Sequence, residues 1–308
     1  MFNPKFTRLL IFCSSLASLK SYAQRQDLLK LVDNEKPKKE YVSNAFKSTR
    51  VINSHSIEFL GHGVLDFRIT HRFGPVNEGA NSLYGFDEAK TRLGLDYGLL
   101  KNLMVGIGRS TLGKEFDGFI KFRPVWQSTG PGSFPLSIVI VSSITLDPTQ
   151  SPPSNPSKYT FYSSRLAFYN ALIIGRKFNE RFSLQVSPEM LHRNQVDSVW
   201  QSNDIFSIGV GTRFKISKRI AFVVDYHHIV YGLAPGTYTD PLAIGVDIET
   251  GGHVFQLHFS NSIGMNERAL ITQTTDKWTD GSVRFGFTIS RVFTIVKPKN
   301  KDKSSKNH

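Results

Sequence analysis

Side chains able to act on a solute recur at every second position of this sequence, between apolar ones. They are Asp66, Arg68 and Arg72; Arg92 and Asp96; Asp117, Lys121 and Arg123; Asp225 and His227; Asp247 and Glu249; Gln256 and His258. Arg165, Glu189, Arg213 and Arg284 stand in the same relation to their apolar neighbours. Carboxylates and guanidinium groups gathered on one surface can do one of two things. They can pair with one another and hold that surface closed, or they can line a path for a small polar or anionic solute. A charge taken out of water needs a partner in either case.

Other chemistry finds less support in the spacing. His227 and His228 are adjacent, so strand geometry sends them to opposite faces, and the odd spacing of His253 and His258 does the same. His227 and His258 could meet only across strands, and no further metal ligand accompanies them. Asn261-Ser262 beside His258 is the nearest approach to a hydrolytic triplet, but no nucleophile elbow surrounds the serine. Gly106-Ile107-Gly108 lacks the following lysine and helix of a phosphate loop and reads as close strand packing. No cofactor, metal or catalytic residue is expected.

The elements that must position the charged face are strands. Leu242, Ile244, Val246 and Ile248 oppose Ala243, Gly245, Asp247 and Glu249; after Thr250-Gly251-Gly252 the alternation resumes through His253, Phe255, Leu257 and Phe259. The same period of two repeats from Leu65 to Arg72, Thr91 to Leu99, Leu103 to Ile107, Phe116 to Arg123, Leu136 to Leu146, Leu166 to Ile174, Phe182 to Met190, Phe206 to Phe214, Ile220 to Val230 and Val283 to Ile289. That makes about twelve strands, with short and long connections in alternation. The expected fold is all-β: a closed antiparallel up-and-down transmembrane β-barrel with its apolar face to lipid and its polar face to the lumen. Two links break the alternation, a long one at Pro124 to Pro135 and a short one at Ser110 to Glu115. Pro188, inside a strand, calls for a bulge or a place at the rim.

Composition bounds the rest. Lys5 and Arg8, the apolar run Leu9 to Leu19 and the site Ser21-Tyr22-Ala23 form an export signal over 1–23. The only cysteine, Cys13, lies within it, which excludes disulfides and thiol chemistry from the exported chain. The formal charge of +13 includes a basic tail at 297–308, and nucleic acid is excluded as a partner by export. Residues 24–53 are charged and aperiodic and read as a mobile periplasmic extension outside the barrel, with the barrel domain spanning 54–296.

Several blocks resemble a Bacteroidota outer-membrane-type β-barrel family catalogued as a domain of unknown function. They are FKSTRVIN from Phe46, GVLDFRITHRFG from Gly63, LMVGIGRS from Leu103, SSRL from Ser163, DIETGGHVFQLHFSNSIGM from Asp247 and FGFTISRVFTI from Phe285. The resemblance implies an exported membrane barrel and assigns no ligand or catalytic residue. The expected function is therefore a narrow channel or ligand-binding porin-like protein for small polar solutes. The alternatives are a structural or interaction barrel whose lumen is plugged by charge and, third, a lipid-modifying barrel enzyme. Expected partners are outer-membrane lipids, the barrel insertion machinery and a small polar or anionic solute.

Overall fold

Alternation at a spacing of two, ended by glycine, asparagine or proline, becomes strand, turn and strand along the chain. The computed structural model describes residues 38–149, 161–196, 201–234 and 236–296. The export signal expected at 1–23, the tail expected at 297–308 and most of the proline-bearing stretch 147–162 lie outside the described residues. Two compact units are present. The smaller consists, among the described residues, of 38–40 and 129–133, where Gly130 and Gly132 turn the chain at φ 88° and 64°. The larger comprises residues 41–128 and those from 134 onward.

The larger unit contains β1 (Val64–Pro75), β2 (Ala89–Leu100), β3 (Leu103–Ser110), β4 (Phe116–Val125), β5 (Ser137–Leu146) and β6 (Leu166–Lys177). It continues with β7 (Phe182–Arg193), β8 (Asp204–Lys215), β9 (Ile220–Tyr231), β10 (Leu242–Thr250), β11 (His253–Ser260) and β12 (Arg284–Thr294). Each strand pairs antiparallel with the next, and β12 returns to β1, closing a barrel of twelve strands. Strands of 8 to 12 residues suit a tilted crossing of a bilayer. The β10–β11 hairpin runs in register from Ala243↔Ser260 to Thr250↔His253, turned by Gly251 and Gly252 at φ 46° and 110°.

The links 101–102, 178–181, 216–219 and 251–252 share one end of the barrel with the longer link 126–136. At the opposite end β1, β5, β7, β9 and β11 finish and the strands after them begin, as do β3 and β4 about the short link 111–115. The first is the turn end of the barrel and the second its loop end. β1 begins and β12 finishes at the turn end. Around the wall Leu93, Leu95, Ile107, Ile120, Ile140 and Phe222 face outward and stay exposed, a hydrocarbon surface suited to lipid.

Pro188 departs from expectation. It sits in mid-strand with neither bulge nor rim: β7 keeps unbroken register with β8, Pro188 opposite Ile208. Against β6 the pairs run from Ala167↔Arg193 to Ala171↔Glu189 and resume at Ile174↔Val186 without a shift. In an antiparallel ladder a residue bonds to one neighbour only, so the missing amide hydrogen costs pairing on the β6 side and leaves the β8 side whole.

The interior corrects the reading of residues 24–53. Residues 45–53 do not lie outside the barrel: Ala45, Phe46, Val51 and Ile52, followed by Ile57, are buried within it. They pack against inward-facing Val139, Val141, Tyr169, Ile173, Leu191 and Val223, an apolar patch on the inner face of β5, β6, β7 and β9 that lies among the polar groups of that wall. The driving force is ordinary core formation, with four sizeable apolar side chains in an otherwise polar segment matched to that apolar patch of the lumen wall. The strand wall begins at Val64, so residues 54–63 belong to the insert and its exit. A second insert enters from the loop end. Between β11 and β12, α1 (Glu267–Thr272) buries Ala269, Leu270 and Ile271, and Asn266 caps it by accepting the Ala269 amide at 2.8 Å.

Where the first insert leaves the lumen, Gly98 of β2 faces Gly61 so closely that a Cβ would lie 2.1 Å from the Gly61 carbonyl oxygen. Gly98→Ala is expected to cost about 1–3 kcal/mol of stability through overpacking. Urea unfolding followed by tryptophan fluorescence reads this loss, and an unchanged midpoint would contradict the close approach.

Candidate functional site: the lumen

The alternating charges converge on the lumen, and much of the wall is paired with itself. Arg68 donates to Asp66 at 2.9 Å, and Ser290 donates to the same carboxylate at 2.6 Å. Arg92 grips Asp117 through two nitrogens, Nε at 2.9 Å. Glycines make room for these groups: a Cβ at Gly108 would lie 2.2 Å from the Arg92 guanidinium, and one at Gly106 would strike Phe119 and Asp96. Glu189 receives Ser187 and Ser207 at 2.7 and 2.8 Å and faces His227 Nδ1 at 2.9 Å. His227 Nε2 lies 3.3 Å from Asp225, and Gln256 donates to Asp247 at 2.7 Å.

Three of the expected lumen residues stand at the rims. Glu249 pairs with Lys47 at the turn end, half-exposed. Arg284 binds Asp276 at 2.7 Å at the loop end. Arg165 belongs to a short turn, Tyr162–Arg165, that precedes β6, so its side chain is not on a strand face as the alternation implied. The histidines do not gather. His258 Nε2 lies 3.0 Å from Arg72, and among the described residues no group of three His, Cys, Asp or Glu side chains is placed to hold a metal. Ser262 Oγ accepts the Gly264 amide at 3.1 Å.

The remaining wall groups hold the main chain of the first insert. Around a tight reversal, Arg50 opposite His55 with the Val51 amide on the Ser54 carbonyl at 2.9 Å, the backbone turns three amides toward one carboxylate. Asp225 accepts from Asn53, Ser54 and Ile52 at 2.7, 2.9 and 3.3 Å and from the Ser54 hydroxyl at 2.6 Å. Gln185 accepts the Ile57 amide and donates to the His55 carbonyl, at 3.1 and 2.7 Å; Gln256 donates to Val51 at 2.6 Å. Lys121, fully buried, donates to the carbonyls of Thr49 and Glu58 at 3.2 and 2.7 Å. Arg213 reaches the Ala45 carbonyl at 3.3 Å. Arg123 reaches Ile57 at 3.4 Å while lying over the rings of Phe59 and Trp126. These are the interactions that satisfy buried cations without a carboxylate.

The two inserts meet at Glu267. Arg50 donates to it at 2.5 Å, His55 Nε2 lies 3.1 Å away, and the three side chains are almost wholly buried. Burial pushes the Glu267 pKa up, but the Arg50 charge and the His55 hydrogen bond outweigh it and hold the carboxyl well below its ordinary 4.5. Burial, reinforced by Arg50, holds His55 well below 6.5. Behind this contact Arg72 spans both inserts, reaching Asn53 at 2.9 Å and the Gly264 carbonyl at 3.2 Å. Arg268 and Asn266 fasten α1 to Glu115 of the 111–115 link. At the turn-end mouth a void of about 250 Å³ is left beside Phe46, Lys47, Thr49, Glu58, Asp66 and Glu249.

Alternation found the wall charges and missed Gln185, Glu267 and the whole of 44–58. The one signal for the insert was Phe46, Val51, Ile52 and Ile57 in a segment too polar and aperiodic for a strand.

Solved barrels resemble this one at low identity. The NanC porin is 7% identical, with a TM-score of 0.46 over 75% of this chain and 100% of that one. The KdgM porin is 9% identical, at 0.45 over 75% and 99%. Omp33 of Acinetobacter baumannii is 9% identical, at 0.39 over 74% and 97%. None of the curated proteins matches the sequence. A family profile described as a membrane bound beta barrel domain, DUF5777, matches residues 46–293.

Proposed function

Because the chain belongs to the membrane bound beta barrel family DUF5777, we propose that it is an integral outer-membrane barrel, porin-like in its shell, whose lumen is shut at rest by two inserts of its own chain. The observation that carries this reading is the buried contact of Arg50 and His55 with Glu267, where a segment entering from the turn end meets one entering from the loop end. Short turns toward the periplasm and long loops outward follow the usual topology of such barrels, which puts both ends of the barrel domain on the periplasmic side. Insertion by the barrel-assembly machinery, with no covalent chemistry, completes the reading.

The test is conductance in planar bilayers. The full barrel is expected to be silent, and a barrel lacking residues 42–57 to pass ions in discrete steps. Steady stepwise conductance from the full barrel would overturn the closed state and favour a standing channel for small polar or anionic solutes. That second reading draws on Arg72, Lys121, Arg123 and Arg213, wall cations that face carbonyl groups and make no ion pair among the described residues.

A further inference from the structure

The lipid-facing surface carries one feature that the closed lumen does not use. On the outer face of β1 to β4, Phe67, Leu93, Leu95, Ile107 and Phe116 line a groove of about 450 Å³. Its loop-end wall is Arg109, paired in the sheet with Leu93 and Phe116. The Arg109 guanidinium lies 5.2 Å from the centre of the Phe116 ring, so its stem covers apolar surface while its charged head stays exposed.

Arg109 has no carboxylate partner among the described residues, and neither has Lys114, exposed in the link that follows β3. The one carboxylate of that link, Glu115, is buried and already engaged by Arg268 and Asn266. Other outward positions along the loop end are hydrocarbon, among them Phe73, Leu146, Phe168, Phe206, Val230 and Phe259, or polar groups already paired, as His192 with Asp204 and His228 with Asp240. Arg109 thus stands at the loop-end edge of the apolar groove and Lys114 in the link that follows its strand, both without a carboxylate among the described residues, toward the height of the lipid headgroups, where a phosphate is the available counter-charge.

We propose that this groove is a binding site for a phosphate-bearing lipid, one acyl chain lying along Leu95 and Ile107 and the phosphate held by Arg109 and Lys114. The proposal rests on the topology given above, which places the loop end in the outer leaflet. The ligand there is a phosphorylated glycolipid of the lipid A type, in preference to a glycerophospholipid.

Native mass spectrometry of the detergent-purified full chain, titrated with lipid A, lipid A stripped of phosphate, and phosphatidylglycerol, tests it. The expected result is a single retained lipid A, weakened about tenfold by Arg109→Gln, as the loss of one charge-assisted contact implies. Lys114→Gln should weaken it in the same direction. Ile107→Trp should weaken it by filling the groove with no change of charge. Equal retention of the phosphate-free lipid, or no loss in any of the three variants, would overturn the site. Equal retention of phosphatidylglycerol would overturn the glycolipid assignment. A wild-type chain that runs identically on a gel with and without heating would count instead against the barrel in a membrane, so the two failures are distinguishable.

Discussion

Asp225→Ala is expected to lower the unfolding free energy by about 3–5 kcal/mol, the range for removing one partner of a buried charged network. The carboxylate satisfies the amides of Ile52, Asn53 and Ser54 together with the Ser54 hydroxyl, and it lies 3.3 Å from His227. Alanine supplies no acceptor, and the site is too enclosed for water to substitute freely, so each amide loses its bond without regaining solvent. The apolar anchors Phe46 and Ile57 remain, and the insert therefore loosens at its tip before it leaves. Hydrogen exchange over residues 51–55 should accelerate far more than exchange in β1 to β4. Unaltered protection of Asn53 and Ser54 would show that the carboxylate does not hold the reversal.

Glu267→Ala is the second large effect. It leaves the Arg50 guanidinium and His55 imidazole buried with no carboxylate, at a cost of about 3–5 kcal/mol. Replacing Arg50 and Glu267 together by methionine removes both charges and should cost much less than the sum of the single changes, since residues in contact are not additive. Equal, additive losses would mean that the pair is not coupled. The same contact sets a pH dependence. Both groups have folded pKa values below their ordinary ones, so the unfolded chain binds more protons as the pH falls and stability drops on the acid side. The His55 contribution is complete above pH 6.5 and is lost as the pH falls from there toward its lowered value. The Glu267 contribution is complete above 4.5 and is lost below that as the carboxyl takes up its proton. Denaturant midpoints of wild type and Glu267→Ala should converge as the solution is acidified; a constant gap would contradict the assignment.

The barrel wall was legible because a strand writes its two faces at a spacing of two, and the β10–β11 hairpin formed at the register its glycines imply. The limits of that signal are specific. The middle of Ser137–Leu146 carries apolar residues on both faces, so alternation could not reveal that Val139 and Val141 support an inserted segment while Ile140 meets lipid. The insert itself is recognised largely through amides and carbonyls, which every sequence possesses. No pattern in 44–58 could announce that Asp225, Gln185 and Lys121 are waiting for it. Glu267 was hidden for a related reason: a six-residue helix is too short to display a period. Pro188 misled because the rule against proline in a wall counts two neighbours, whereas an antiparallel residue donates to one.

The first insert comes in beside Gln127, which receives the Val42 amide, and goes out beside Gly98, which receives that of Gly63; both lie at the turn end. The segment between β11 and β12 likewise starts and finishes at the loop end. Each insert is therefore a tucked loop, and neither passes through the cylinder as a thread passes through a needle. Among the described residues there is no topological lock: with β12 already joined to β1, either loop could still be packed in or drawn back without parting a single pair of strands. Order of assembly is free, and what keeps the lumen full is affinity alone.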